Sequence, residues 1–240
     1  LAAPLVIAAF TWQQRHMLKV HGSPLLPLPL FRDRGFASGQ LVQVLSSIGN
    51  GGFVLIVLFY VQSALGFTAL AAGLTLLPFA LGSMVAAPLA ILATKRLGRW
   101  AVLLGGMVQA AALAWVLWTI WSAGASLTGW HLTVPLALTG AGMMTLIMPL
   151  TTITLESVPT QDAGAASGTL TTFSQIGMVL GVALAGALFF GILQSSGDAH
   201  DAVTTALWVP VAAYALAGLA SLTMPTAPGA AQRSMGNSPQ

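Results

Sequence analysis

Long apolar runs separated by short polar breaks dominate the pattern of this chain. Within residues 36–224, each apolar run has the roughly 20 residues that a helix needs to cross the hydrocarbon core of a bilayer. No run carries an acid or a base in its middle. The pattern therefore predicts an all-α membrane protein built as a bundle of spanning helices. Their expected bounds are about 37–62, 68–94, 100–121, 130–155, 163–193 and 202–224.

The segments outside this bundle are of three kinds. Residues 1–12 are apolar but too short to cross a bilayer, so we expect the end of a preceding linker helix, in a sequence that is a fragment. Residues 13–35 carry charges and prolines that prevent a continuous helix, which predicts a cytoplasmic loop. Residues 225–240 are polar, and we expect a disordered cytoplasmic tail.

The scarcity of charge defines the class of protein. The 240 residues include eight Lys and Arg and five Asp and Glu, whereas 56% are hydrophobic. About a quarter of an average soluble domain is charged, so this chain is an integral membrane protein whose surroundings are the lipid bilayer. Its basic residues lie in short loops between apolar runs, which is typical of membrane topology and argues against nucleic acid as a partner.

The basic residues also predict the orientation of the helices. All eight Lys and Arg fall in the loops 13–35 and 95–99 and in the tail, whereas the loops on the other side have none. Because basic loops stay in the cytoplasm, we expect a multi-pass protein of the plasma (cytoplasmic or inner) membrane with a cytoplasmic C-terminus. The tight basic loop on that side contains Lys95, Arg96 and Arg99.

The six spans divide into three plus three at the loop 122–129. Two triplets of helices in opposite orientation form the inverted repeat seen in one half of many secondary transporters. The count and the topology carry this prediction, because the two triplets share no obvious sequence similarity.

Two uncharged polar stripes are candidate walls of a substrate cavity. The first span carries one at spacings of three and four residues, on a face that lipid would reject. The fourth span carries a similar stripe of Met and Thr. The alternative is hydrogen bonding between helices, worth about 0.6 kcal/mol per bond, and the sequence leaves both readings open. The candidates are Gln43, Ser46, Ser47 and Asn50, with Met144, Thr145, Met148 and Thr151.

The fifth span, 163–193, is rich in glycine and places Ser174, Gly177, Gly181 and Ala185 on one side. Small residues let a neighbouring helix come close. The face predicts either static packing or a sliding contact.

The chain lacks the groupings that catalysis or metal binding would need. Its four His lie in loops or at span ends, and it has no cysteine, no Ser/His/Asp grouping and no phosphate-binding loop. We therefore expect no metal site, no cofactor and no enzymatic activity.

Three stretches resemble a known family. PLLPLPLFRDRGF at 24–36 resembles the loop after the eighth span of the fourteen-span drug:proton antiporters of the major facilitator superfamily. DAGAASGTLTTFSQIGMVLG at 162–181 resembles the start of their thirteenth span, and APLAILATKRLGRW at 87–100 is similar to the second-half copy of the superfamily's short basic loop. The resemblance covers nearly the whole chain.

The resemblance implies that the chain is the six-helix C-terminal bundle with the end of a linker span before it. The N-terminal half, which carries the family's coupling acid, is absent and is an expected partner. The implied activity is export of hydrophobic or amphipathic compounds in exchange for protons, by alternating access. The small-residue face of the fifth span, with Gln175 beside it, is then expected to be a moving contact with the missing half.

Some positions depart from the family's pattern. Lys95 and Ile91 stand where the family often has Asp and Gly, so we expect the charge pair of the basic loop to be absent. Thr171, Ser174 and Met178 also depart, whereas the fifth span matches at Gln175, Gly177 and Gly181.

Two rival functions remain. One is a truncated membrane protein without transport activity of its own. The other is a facilitator for a polar metabolite, against which the charge-free spans argue.

Overall fold

The computed structural model describes residues 28–64, 66–123 and 127–225. The predicted linker-helix end at 1–12, most of the loop at 13–35 and the tail after residue 225 lie outside this described part. Within it the chain is helical, without a strand, and six helical stretches are long and apolar enough to cross a membrane. The predicted fold class is therefore confirmed.

We number the α-helices in chain order and describe the sixth span as α6 and α7 together. Short 3₁₀ helices occupy Leu28–Arg32, Thr160–Asp162 and Ser221–Thr223, and a π-helical turn, Tyr60–Ala64, extends the first helix. The α-helices are α1 (Arg34–Phe59), α2 (Ala69–Leu97), α3 (Arg99–Ala123), α4 (Gly129–Glu156), α5 (Ala163–Ser196), α6 (Ala199–Ala206) and α7 (Trp208–Ala220).

Short polar side chains explain where several helices begin. Asp33 accepts a hydrogen bond from the backbone N–H of Phe36 at 2.9 Å, so α1 begins at Arg34, inside the predicted loop. Thr68 accepts from Ala71 in the same way at the start of α2. Such caps satisfy N–H groups that the first helical turn leaves without partners.

The sixth span is interrupted at Leu207. Pro210 has no N–H, so the carbonyl of Ala206 cannot receive the usual hydrogen bond. The two segments still follow each other closely, because Leu207 N–H donates to Val203 at 3.0 Å and Val211 N–H donates to Leu207 at 3.3 Å. The span therefore continues across the proline as one stretch of membrane-crossing length, Ala199–Thr223.

The packing of the helices has the symmetry of an inverted repeat. α1 packs against α5 and the sixth span, and α4 packs against α2 and α3 in the corresponding way. If α1, α2 and α3 are exchanged for α4, α5 and the sixth span, the contact of α1 with α5 becomes that of α4 with α2. The contact of α1 with the sixth span likewise becomes that of α4 with α3. α1 and α4 also contact each other, as do α3 and the sixth span, and both pairs map onto themselves. The three-plus-three arrangement is thus present in the contacts.

Glycines allow the two corresponding helix pairs to approach backbone to backbone. A Cβ atom at Gly181 of α5 would fall on the carbonyl oxygen of Ile48 in α1. A Cβ atom at Gly140 of α4 would fall on the carbonyl oxygen of Phe79 in α2. Any larger side chain at either position must push the two backbones apart.

α2 and α5 are the least buried helices of the bundle. Only 11% of the most apolar window of α2 is buried inside the bundle, and 28% of that of α5, against 44–56% for the other four spans. These two helices occupy equivalent positions in the inverted repeat. The bundle therefore has two related, largely uncovered helices.

We predict that Gly181→Ala destabilises the bundle by about 1–3 kcal/mol, because the added methyl group meets backbone that cannot move aside cheaply. The matched control is Gly191→Ala on the same helix, where a Cβ atom meets nothing within 4 Å. The control should be neutral, or more stable by up to about 1 kcal/mol through helix propensity. Thermal unfolding in detergent measures both variants. Equal unfolding temperatures for the two would contradict the proposed contact.

Candidate substrate site

The polar stripe of α1 points into the bundle. Gln43, Ser46 and Ser47 are 8%, 5% and 6% exposed, and Asn50 is half-buried. Together they line a small chamber of about 50 Å³ between five helices. The other lining residues are Gln109 of α3, Met143 and Ile147 of α4, Ser174 of α5 and Tyr214 of α7.

Hydrogen bonds along the stripe connect α1 to α5. Gln43 donates from Nε2 to the hydroxyl of Ser47 at 3.3 Å, and the hydroxyls of Ser47 and Ser174 lie 3.0 Å apart. Ser46 donates to the carbonyl oxygen of Gln43, within its own helix. The stripe therefore fits both interpretations of its sequence pattern. Ser47 forms a hydrogen bond to another helix, and the stripe also lines a chamber.

Gln109 and Tyr214 were not found by pattern analysis, and they form the buried wall of the chamber. Each side chain is 1% exposed. Gln109 Nε2 and Tyr214 Oη have no hydrogen-bond partner among the described residues. A single amide in the middle of an otherwise apolar span is the signal that could have identified Gln109.

Two glycines on the neighbouring helices allow close contact with these residues. A Cβ atom at Gly49 of α1 would lie 2.6 Å from a ring carbon of Tyr214, so this glycine makes room for the tyrosine ring. A Cβ atom at Gly142 of α4 would lie 2.8 Å from the backbone nitrogen of Gln109, so this glycine lets α4 approach the backbone of α3. Both positions exclude a larger residue.

The polar stripe predicted on α4 does not line the chamber. Met144, Thr145, Met148 and Thr151 are half-buried, and α4 contributes Met143 and Ile147 to the chamber instead. The hydroxyls of these threonines donate to carbonyls of α4 itself, at 2.8 Å from Thr145 and 2.9 Å from Thr151. Their polarity is therefore satisfied locally, without a ligand or another helix.

The small-residue face of α5 packs inside the bundle. Gly177, Gly181 and Ala185 are buried, and a Cβ atom at Gly177 would lie 2.7 Å from the carbonyl oxygen of Val44 in α1. The expectation that this face is a moving contact with a missing half is therefore wrong for these three residues. Static packing of α5 on α1 explains them.

The remaining face of α5 is uncovered. Gln175 lies on it, exposed, together with two threonines that are also exposed. Lipid hydrocarbon disfavours the amide of Gln175, whereas the two threonine hydroxyls donate to carbonyls of α5 itself. The apolar residues beside them are Ile176, Val179, Leu180, Leu184 and Leu188.

The described part of the chain contains no group of three or more His, Cys, Asp or Glu that could hold a metal ion. The chamber residues are likewise uncharged. What this arrangement can do chemically is donate and accept hydrogen bonds in a small space.

No family model matches the chain. The chain is 36% identical to the probable actinorhodin transporter of Streptomyces coelicolor over 83% of its own length and 35% of that protein's. It is 30% identical to the tetracenomycin C resistance and export protein of Streptomyces glaucescens, over 78% of this chain and 34% of the relative. It is also 30% identical to MdtD of Cronobacter sakazakii, named for multidrug resistance, over 85% of this chain and 43% of the relative.

This chain belongs to the drug:proton antiporter family of the major facilitator superfamily. It spans between about a third and just over two fifths of the length of these curated relatives. Membership in this family, together with the six spanning helices, makes the chain part of an integral multi-pass membrane protein.

The basic loop of this antiporter-family chain has one residue with a defined structural contact. Lys95 and Arg96 are exposed, whereas Arg99 is half-buried and donates from Nη1 to the carbonyl oxygens of Leu222 and Met224 at 3.2 and 3.1 Å. A cation at the C-terminal end of a helix satisfies carbonyls that have no helical partner and interacts favourably with the helix dipole. Arg99 thus joins the start of α3 to the end of the sixth span.

We predict that Arg99→Met lowers the free energy of unfolding by about 1–2 kcal/mol, because the carbonyls at the end of the sixth span lose a charged donor. Arg96→Met is the matched control, since Arg96 is exposed, and it should change stability by no more than about 0.5 kcal/mol. Thermal unfolding of both variants in the same detergent provides the comparison. The contact is refuted as a stabilising one if Arg99→Met unfolds at the wild-type temperature.

Proposed function

We propose that this chain is the C-terminal half of a proton-coupled exporter of hydrophobic or amphipathic compounds. The observation that carries the proposal is similarity over about four fifths of the chain to a probable actinorhodin transporter and to a tetracenomycin C resistance and export protein. The uncharged chamber and the uncovered faces of α2 and α5 support it from the structural side.

The partner of this bundle would be an N-terminal half of the same transporter. The relatives are more than twice as long as the segment they share with this chain. α2 and α5 expose apolar faces, and on α5 that face includes the polar Gln175, for which a protein neighbour is a better environment than lipid. We infer that the second half packs against both helices.

Alternating access would then consist of rocking of the two halves around a site at the middle of the membrane. Movement would occur at the exposed faces of α2 and α5, while α1 and α5 stay together through their glycine contact. The described spans hold no acid or base within the membrane, so the group that binds the coupling proton would lie in the other half. Substrates would contact the uncharged side chains of α1 and the methionines of α4, Met144 and Met148.

The orientation proposed for this half follows from its charges. In the sequence, every Lys and Arg falls in the predicted loops 13–35 and 95–99 or in the predicted tail, which the alternation of the spans assigns to one side. The positive-inside rule places that side in the cytoplasm. We accordingly propose the plasma (inner) membrane of the cell, with the C-terminus in the cytoplasm.

Transport by the complete protein tests the proposal. Cells that lack their own exporters should accumulate less of a lipophilic dye when they express the complete transporter, and a protonophore should abolish the difference. The 240-residue chain expressed alone should be inserted but inactive. If cells that express the complete transporter accumulate as much dye as empty cells, the result favours the truncated, non-transporting alternative. Uptake of a polar metabolite by the same cells would favour the facilitator.

We further predict that Gln175→Leu lowers efflux about threefold or more, which corresponds to the loss of one interhelical hydrogen bond. Gln194→Leu is the matched control, because Gln194 is exposed at the end of the same helix. Initial rates of dye efflux at equal expression measure both. If Gln175 faces lipid instead, Gln175→Leu should leave efflux unchanged and the thermal stability equal or higher.

A further inference from the structure

The chamber inside the bundle contains two buried polar side chains without partners. Gln109 Nε2 and Tyr214 Oη have no hydrogen-bond partner among the described residues, and each side chain is 1% exposed. Burial of a polar group without a hydrogen bond is costly, and nearly all such groups in native proteins have a partner. Both atoms belong to residues that line the same chamber, so a group bound there is a candidate partner for both.

The chemistry of the lining restricts what that group can be. The amide N–H of Gln109 can only donate, so the bound atom must accept from it, and the phenol O–H of Tyr214 can donate to the same atom. None of the residues that line the chamber is charged, so the site offers no countercharge to an anion or to a cation. A neutral oxygen satisfies these conditions.

The size of the chamber restricts the ligand further. Its volume is about 50 Å³, whereas a water molecule takes roughly 30 Å³ of liquid and a drug-sized ligand needs a pocket of about 300 Å³ or more. The chamber therefore fits one or a few water molecules, or one polar group that projects from a larger compound bound outside it.

The arrangement of the lining also provides an entrance. Asn50, Met143 and Ser174 are half-buried, whereas Gln109 and Tyr214 are closed off from the surface. We call these half-buried residues of α1, α4 and α5 the mouth of the chamber, and the two buried, unpartnered groups of α3 and α7 its floor.

We propose that Gln109 and Tyr214 bind a neutral oxygen at the floor of this chamber, supplied by a water molecule or by a hydroxyl or carbonyl group of a transported compound. The first source does not depend on transport. The second rests on the proposed function, and it would make Gln109 and Tyr214 determinants of substrate specificity.

The first experiment asks whether an oxygen is bound at all. In the complete transporter in lipid nanodiscs, the infrared difference between wild type and Tyr214→Phe isolates the O–H stretch of Tyr214. We expect the broad, lowered band of a hydrogen-bonded phenol. Tyr214→Phe should also lower the unfolding temperature by roughly 1–3 °C, the effect of losing one hydrogen bond.

Tyr60→Phe is the control, because Tyr60 has only 3% of its surface exposed and lies outside the chamber. The proposal is overturned if Tyr214 gives the narrow band of a free O–H both with and without substrate. Removal of such an unpaired hydroxyl would leave the unfolding temperature unchanged or raise it. These measurements need no transport activity, so they remain decisive even if the proposed function fails.

The second experiment identifies the source of the oxygen. A bound water gives the hydrogen-bonded band of Tyr214 without substrate, together with an O–H stretch of the water itself that shifts in H₂¹⁸O. An oxygen from a substrate gives the band only after a transported compound is added. In that case Gln109→Met lowers transport of a hydroxyl- or carbonyl-bearing compound by roughly tenfold relative to its analogue without that oxygen, whereas with bound water the ratio stays at its wild-type value.

Discussion

Close backbone contact between α1 and α5, and between α2 and α4, is the constraint on which the rest of this structure depends. In a bilayer, burial of apolar surface does not drive helices together, since lipid is as apolar as leucine. Glycine at the crossing points supplies contact area by removing the side chain between the backbones. The hydrogen bond between Ser47 and Ser174 follows from the approach, because it joins two short side chains that need adjacent helices.

The same contacts divide the bundle into a closely packed part and an uncovered part. α5 presents its small residues to α1 and its other face outward, and α2 is still less buried. Because these helices are equivalent in the inverted repeat, one partner with similar symmetry could cover both. The chamber is lined by residues of α1, α3, α4, α5 and α7, and no residue of α2 is among them.

The sequence was sufficient to predict the fold class, because helix length and the exclusion of charge from lipid determine the number of spans. It also identified the stripe at Gln43, Ser46, Ser47 and Asn50, since a periodic polar face cannot point into lipid. It could not determine which neighbour the glycines of α5 contact, because a small-residue face has the same pattern against any helix. Gln109 and Tyr214 could not be identified, because a single polar residue has no periodicity. The threonines of α4 have the periodicity of a cavity wall, but their hydroxyls bond to carbonyls of their own helix.

We propose that this bundle is one half of a transporter, joined to the other half through the exposed faces of α2 and α5. A cryo-electron microscopy structure of the complete protein in lipid nanodiscs tests this arrangement directly. We expect helices of a second bundle along both faces, with Gly177 and Gly181 still packed against α1. Lipid acyl chains along the exposed faces of both α2 and α5 would show that no second half packs there.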